Sequence, residues 1–494
     1  MLKSSLLEIV RTFSKQEMIK FEDFVRSPYF NKKENVLKLF LEIKNFAPEF
    51  TDENLEKEKM WKKLFPVMAY NYGILKNLIF DLNKLAEQFI IDLYFSKEEF
   101  KRNEFLISEL LNRGLKKNYL SKDSALNKEL NLFPANSGNV VIDDYLSLMS
   151  KIYDRKMFYA HMFEHNTTES SLQIGRDSYH ISKILILLFG GFSDVEVYSH
   201  VRNAEVETNP VTIYLDVIST GLEKIINSLN NTSTQNQIYV RINYLMYLAI
   251  RQKTEESYLN FKKMFFENTH LFPTRDMHDM HYCLITAAVK SEHRNLNLNR
   301  EIVEILDSMS EYNVIIERET GKIPVYIFHY YISNSFLLLD SGKIEAFRNK
   351  YIDKIEAEHL TNTKNYVDFM LSFIKKDFNE ALNFLSLLDI NHLGMKIPMR
   401  YQKAMCSYET DNYEMFLNEN DSLKHFLKNN KFISEDQRSL LSNYFNCTNK
   451  LFKLKNNFTE IEFDNLRKDI FEAFRNTNVW FNQKLDELEN ANLK

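Results

Sequence analysis

The chain runs to 494 residues, which at about 100–200 residues per domain means several domains or one long repetitive array. Gly (10) and Pro (8) are so scarce that hairpins and phosphate-cradling loops are excluded as major features, and an all-α fold follows. Lys and Arg total 63 against 68 Asp and Glu, and the net charge of −5 leaves no electrostatic footprint that would call for nucleic acid or a membrane surface.

The first residues, MLKSSLLEIVRTFSK, are interrupted by Glu8 and Arg11 and lack the apolar stretch of an export signal. Cys283, Cys406 and Cys447 are odd in number and far apart, so a disulfide framework is not expected and a reducing, cytoplasmic setting is. Ser14 and Glu17 fit a capping box. A helix is therefore expected to start at Lys15 and to stop near Arg26, because Pro28 pushes Ser27 out of the α region. Asn45–Phe50 and Leu64–Asn71 punctuate the following helices. Ile74, Leu75, Leu78, Ile79, Leu82, Leu85, Ala86, Phe89 and Ile90 keep helical spacing for more than four turns.

The segment LFPANSGNVV, Leu132–Val141, concentrates Pro, Gly, Asn and Ser and marks a joint. We expect a helical N-terminal region over 1–134 and a helical array over 135–494. Later breaks are expected at NPVT after Thr208, NNTSTQNQ at Asn230, FPTRD at Phe272 and GKIP at Gly321. Ile184–Phe192 (ILILLFGGF) is the most apolar run, too short to cross a membrane. It reads as a buried helix, with Gly190–Gly191 expected to end it.

Aligning SGKIEAF (341–347), KKDFNEA (375–381) and TDNYEMF (410–416) places Ile344, Phe378 and Tyr413 together. Phe347, Ala381 and Phe416 follow three residues later, in steps of 34 and 35 residues. RQKTEESY (251–258) is a more divergent copy with Tyr258 at the second position. The stretch Phe373–Leu385, FIKKDFNEALNFL, resembles a tetratricopeptide (TPR) motif with Ala381 at the small packing position. Phe347 and Phe416 depart from that pattern, as does the absence of its Trp and Pro landmarks. The resemblance covers residues 235–455, is clearest over about 323–430, and implies an α-α superhelix of TPR-like helix pairs. FSKQEMIKFEDFVRSPYFNKKENVLKLF (13–40), LFP and YN within 64–71, and Leu423–Leu454 look like parts of a group of uncharacterised large helical bacterial proteins; this resemblance implies a fold and no activity.

Residues that could carry chemistry do not assemble into a set. His161 and His165 stand i, i+4, as in helical zinc sites, but no third ligand is identifiable. His278 and His281 stand i, i+3 with the same shortfall. Asp143 and Asp144 follow the joint and suit the positive end of a helix dipole. Cys283 and Cys406 read as core, and a nucleophilic thiol would need a His or a helix N-terminus to lower its pKa. Lys32–Lys33, Lys62–Lys63, Lys116–Lys117 and Lys375–Lys376 read as solvated faces with i, i+4 acidic partners.

No catalytic, cofactor-binding or metal-binding residue is therefore assigned. The expected role is a non-catalytic interaction scaffold that binds a peptide or protein in a groove, lined by some of the 26 Tyr. The alternatives are a peptide-responsive sensor or regulator acting through residues 1–134 and, more remotely, an enzyme with an unrecognised pocket. No cofactor, nucleic-acid partner or membrane insertion is expected, and the oligomeric state is left open.

Overall fold

A computed structural model describes residues 4–50, 55–97, 99–130, 141–164, 170–202, 206–292, 296–317, 320–389, 393–430, 433–474 and 478–492. Of these residues, 83% are helical. Among them there is no strand, only an isolated backbone pairing of Thr254 with Glu292. No described helix is long and apolar enough to cross a membrane. The protein is all-α. Contacts divide it into two compact units, Met1–Asn131 and Leu132–Lys494. Residues 132–140 of the expected joint, including the boundary at 134/135, lie outside the described residues.

The first unit holds α1 (Ser5–Arg11), α2 (Lys15–Arg26), α3 (Glu34–Lys44), α4 (Lys57–Leu64), α5 (Tyr72–Lys97), α6 (Glu99–Asn112) and α7 (Lys116–Leu130). The capping box forms: the Glu17 amide donates to Ser14 Oγ at 3.2 Å, and the Ser14 amide donates to Glu17 Oε2 at 2.8 Å. Ser27 is extended, as the following Pro requires. Helix α5 packs against α1, α2, α3 and α4 through Leu75, Leu78, Leu82, Leu85, Ala86 and Phe89. The Phe89 ring meets Phe21 at 5.1 Å, and Phe21 meets Phe40 at 4.9 Å. Ile74 and Ile90, expected on the same stripe, are each 42% exposed. They sit at its flank, beyond the reach of the helices that cover its centre.

The second unit begins with α8 (Ile142–Tyr159), α9 (Ser170–Arg202), α10 (Pro210–Ile218) and α11 (Leu222–Asn227). It continues through α12 (Thr234–Gln252), α13 (Glu255–Glu267), α14 (Thr274–Lys290), α15 (Leu298–Glu311), α16 (Val325–Leu337), α17 (Ser341–Tyr351) and α18 (Ala357–Ile374). The last helices are α19 (Phe378–Ser386), α20 (Leu393–Glu409), α21 (Tyr413–Asn429), α22 (Glu435–Asn456), α23 (Glu460–Phe474) and α24 (Val479–Asn492). Breaks fall where Pro and capping residues were read: Asn209 caps α10 with Pro210 at its first position, Ser233 caps α12, and Pro273 and Pro324 precede α14 and α16. Gly190 and Gly191 lie inside α9 and do not end it. A mid-helix Gly costs only about 1 kcal/mol, and buried Phe189 and Phe192 anchor the helix on both sides.

From α12 to α23 each helix packs on the next, and α12–α14, α16–α18, α20–α22 and α22–α24 also touch. The register of these pairs is set by caps. Thr254, Asn297, Asp340, Asp377, Asn412 and Thr459 accept from the backbone amides of Ser257, Arg300, Lys343, Glu380, Met415 and Glu462. Four residues after each cap stands a buried side chain: Tyr258, Glu301, Ile344, Ala381, Phe416 and Phe463. The steps between caps are 43, 43, 37, 35 and 47 residues, looser than the two read from sequence. The alignment of 341–347 is corrected by one helical turn, because Asp340 places Ile344, not Phe347, opposite Ala381 and Phe416. In the three best-matched pairs a left-handed residue precedes the cap, at Leu339, Lys376 and Asp411. The cap amide then donates back to the carbonyl of Ser335, Ser372 or Ser407, closing the helix end.

Candidate functional site

Helix α16 supplies the site's long axis. At 100° per residue, Tyr326, Tyr330, Ser333 and Leu337 fall on one strip about 60° wide, opposite the buried Ile327, Phe328, Tyr331 and Ile332. Tyr330 keeps 37% of its surface open, yet desolvation pushes its phenol up. Beside it the hydroxyls of Tyr282, on α14, and Tyr326 meet at 3.1 Å. Burial first, then the Tyr326 bond and the charges of Asp279 and Glu317, push the Tyr282 phenol up.

At the far end of the strip, Leu337 joins a cavity of about 410 Å³. Tyr401 of α20, Leu440 and Tyr444 of α22 and Phe474 of α23 form much of its wall. Ser291, Glu292, Asn299 and Asn478 supply polar groups. The wall is a set of packed rings: Tyr401 meets Tyr444 at 4.6 Å, and Tyr444 meets Phe481 at 4.8 Å. Behind them Trp480 donates to Glu409 Oε1 at 2.7 Å, and Lys484 ties Glu409 to Glu487 at 2.8 Å on each side. These bonds fix the ring orientations from outside the cavity.

The residues singled out in the sequence lie elsewhere or at the edge. His161 is exposed on a π-helical turn, Ala160–Glu164, after α8, and His165 lies outside the described residues. His281 is buried on α14, with Nδ1 2.7 Å from the Met277 carbonyl and Nε2 3.0 Å from Ser308 Oγ. Both ring nitrogens are thus engaged, and burial pushes its pKa down to about 4. His278 faces Asp279 at 3.1 Å, so the two histidines do not converge. Asp143 and Asp144 occupy the first turn of α8 as read, with Asp143 3.1 Å from Lys183 Nζ.

The thiols are poor nucleophiles where they stand. Burial pushes Cys283 and Cys406 up to about 12 and Cys447 up to about 11. The Ser193 hydroxyl donates to Cys283 Sγ at 3.6 Å. In three of the four lysine pairs one lysine takes its partner from a neighbouring helix rather than from i, i+4: Lys33 with Asp81 at 2.7 Å, Lys63 with Glu42 at 3.7 Å and Lys375 with Glu345 at 3.6 Å. Among the described residues, Glu356, Glu358 and His359 bring ligand atoms within 4.8 Å of one another. They form an acidic cluster at the start of α18, with Glu356 and Glu358 exposed and His359 half-buried.

Sequence reasoning named no member of the groove. The signal available was the i, i+4, i+11 run of Tyr326, Tyr330 and Leu337, apolar on the face opposite an already continuous apolar face. Compared with family models, curated proteins and solved structures, the chain matches none.

Proposed function

We propose that the second unit is an α-α superhelix of TPR-like pairs and that the protein is a non-catalytic scaffold holding an extended partner segment in its groove. The observation that carries this reading is the open tyrosine strip on α16 leading into an aromatic-walled cavity. Rings that pack for stability alone have no need of an accessible concave face, whereas Tyr-rich concavities suit peptide recognition. The non-catalytic part is supported by thiols pushed up and by a His281 whose two nitrogens are already engaged. The three unpaired thiols support a reducing, cytoplasmic setting.

The test is selection of a randomised dodecapeptide library displayed on phage against the full chain. The reading predicts enriched peptides whose binding is lost on Leu440→Glu, a change at a residue 41% exposed that leaves folding intact by circular dichroism. Enrichment of no peptide, or of peptides indifferent to Leu440→Glu, would reject it.

A further inference from the structure

The cavity at the end of the α16 strip has the make-up of a small-molecule site. Its volume of about 410 Å³ lies in the range of about 300–1,000 Å³ that such sites occupy, and well above the roughly 150 Å³ that holds a benzene. A single aromatic side chain would leave much of it empty. At about 30 Å³ for each water-sized group, it holds roughly a dozen heavy atoms. Three of its rings, Tyr401, Tyr444 and Phe474, stand steeply to one another rather than stacked. Tyr401 and Tyr444 meet at 69°, and Tyr444 and Phe474 at 77°. Rings set at such angles around one cavity bound it from several sides, as aromatic cages do around an ammonium group.

Glu292 is the one charged side chain among the described residues that line this space. The backbone fixes its place: the Glu292 amide donates to the Lys253 carbonyl at 2.8 Å, in the isolated pairing with Thr254 that ties the end of α14 to the end of α12. Its carboxylate has no cation in ion-pair reach among the described residues, and the Lys290 ammonium, two positions earlier, is paired with Glu196. A carboxylate without a cation, beside neutral rings, suits an organic cation and repels an organic anion.

We propose that the cavity binds a small organic ammonium of roughly a dozen heavy atoms, its apolar body among Tyr401, Tyr444, Phe474 and Leu440 and its charged group at Glu292. The amine shares the cavity with the end of the partner segment proposed above, so the two exclude each other. The site itself is argued without that segment, and its test uses the amine alone.

The experiment titrates the full chain by isothermal calorimetry with tryptamine, its neutral isostere 3-propylindole and the acid indole-3-propionate. Tryptamine is expected to bind at one site per chain, about tenfold or more tighter than 3-propylindole, and the acid more weakly than either. Glu292→Gln should bring tryptamine and 3-propylindole within about threefold of each other, and added salt should narrow the gap in the wild type. Leu440→Trp, at a residue 41% exposed on the cavity wall, should weaken both by filling the space. Circular dichroism checks that the two variants fold. Equal binding of tryptamine and 3-propylindole, a preference untouched by Glu292→Gln, or no binding of any of the three would overturn the inference. So would tryptamine binding indifferent to Leu440→Trp, which would place the amine elsewhere on the chain. Each of these results leaves the groove reading to its own library selection.

Discussion

Tyr282 and Tyr326 share a hydrogen bond of 3.1 Å between their hydroxyls, joining α14 to α16 where the groove begins. Because Tyr326 is the more exposed ring, at 62%, this bond orders the groove wall more than it stabilises the fold. Tyr326→Phe should change unfolding free energy by less than about 1.5 kcal/mol, the upper end for one neutral hydrogen bond. Chemical denaturation measures it, and a larger loss would mean that the bond holds the two helices together.

Ala381 is fully buried between α18 and α19. Ala381→Trp should destabilise by about 1–3 kcal/mol or more through overpacking. An unchanged melting temperature would remove Ala381 from the seam.

The caps make a sharper test of the repeating register. Asp340→Ala and Asp377→Ala should each cost about 0.5–2 kcal/mol, and Asn at either site should restore most of the loss. Equal effects of Ala and Asn would show that charge, not the accepted amide bond, is what counts.

Two glycines of α9 are predicted to respond in opposite directions. A Cβ on Gly175 would come within 2.4 Å of the Tyr153 ring, while one on Gly190 meets nothing within 4 Å. Gly175→Ala should therefore destabilise, by about 1–3 kcal/mol, and Gly190→Ala should stabilise by up to about 1 kcal/mol. Thermal unfolding of the two variants side by side distinguishes them.

Much of this architecture is legible in the sequence because local chemistry sets it. Ser14, Glu17 and Pro28 bracket α2, and Asn209, Pro273 and Pro324 start later helices, each through bonds made or lost within a few residues. The register of 341–347 is ambiguous in the sequence because Ile344 and Phe347 both suit a buried position. Only the Asp340 cap, with Leu339 left-handed before it, tells them apart. The groove was invisible for a different reason: Tyr330, Leu337, Tyr401, Leu440 and Phe474 lie on four helices, and only tertiary packing brings them together. Gly190–Gly191 misled because a helix stop is a local preference that flanking buried Phe residues outweigh.

Asp276 makes stability depend on pH. It accepts from the Ile142 amide, the first of α8, at 3.1 Å, and burial, the largest effect, pushes its pKa up to about 7. A carboxyl raised in the folded state gives its full stabilising contribution below its unfolded pKa near 3.9, and loses it as pH rises through about 7. The loss is on the order of 4 kcal/mol at 1.36 kcal/mol per pKa unit. His281, lowered to about 4, acts the opposite way, losing stability as pH falls from about 6.5 toward 4. Asp276→Asn should keep the Ile142 bond and abolish the Asp276 component, so that the variant gains on the wild type from pH 5 to pH 8. Parallel melting curves across that range would contradict this.

The central claim, that a partner segment lies along α16 and ends in the cavity, is tested most directly by site-specific photocrosslinking. Benzoylphenylalanine replaces Tyr330, Leu440 or, as a control at the end of α19, the exposed Leu387, and each protein is irradiated with a peptide taken from the library selection. The account predicts peptide adducts at positions 330 and 440 and none at 387. Adducts at 387 alone, or at none of the three, would contradict it.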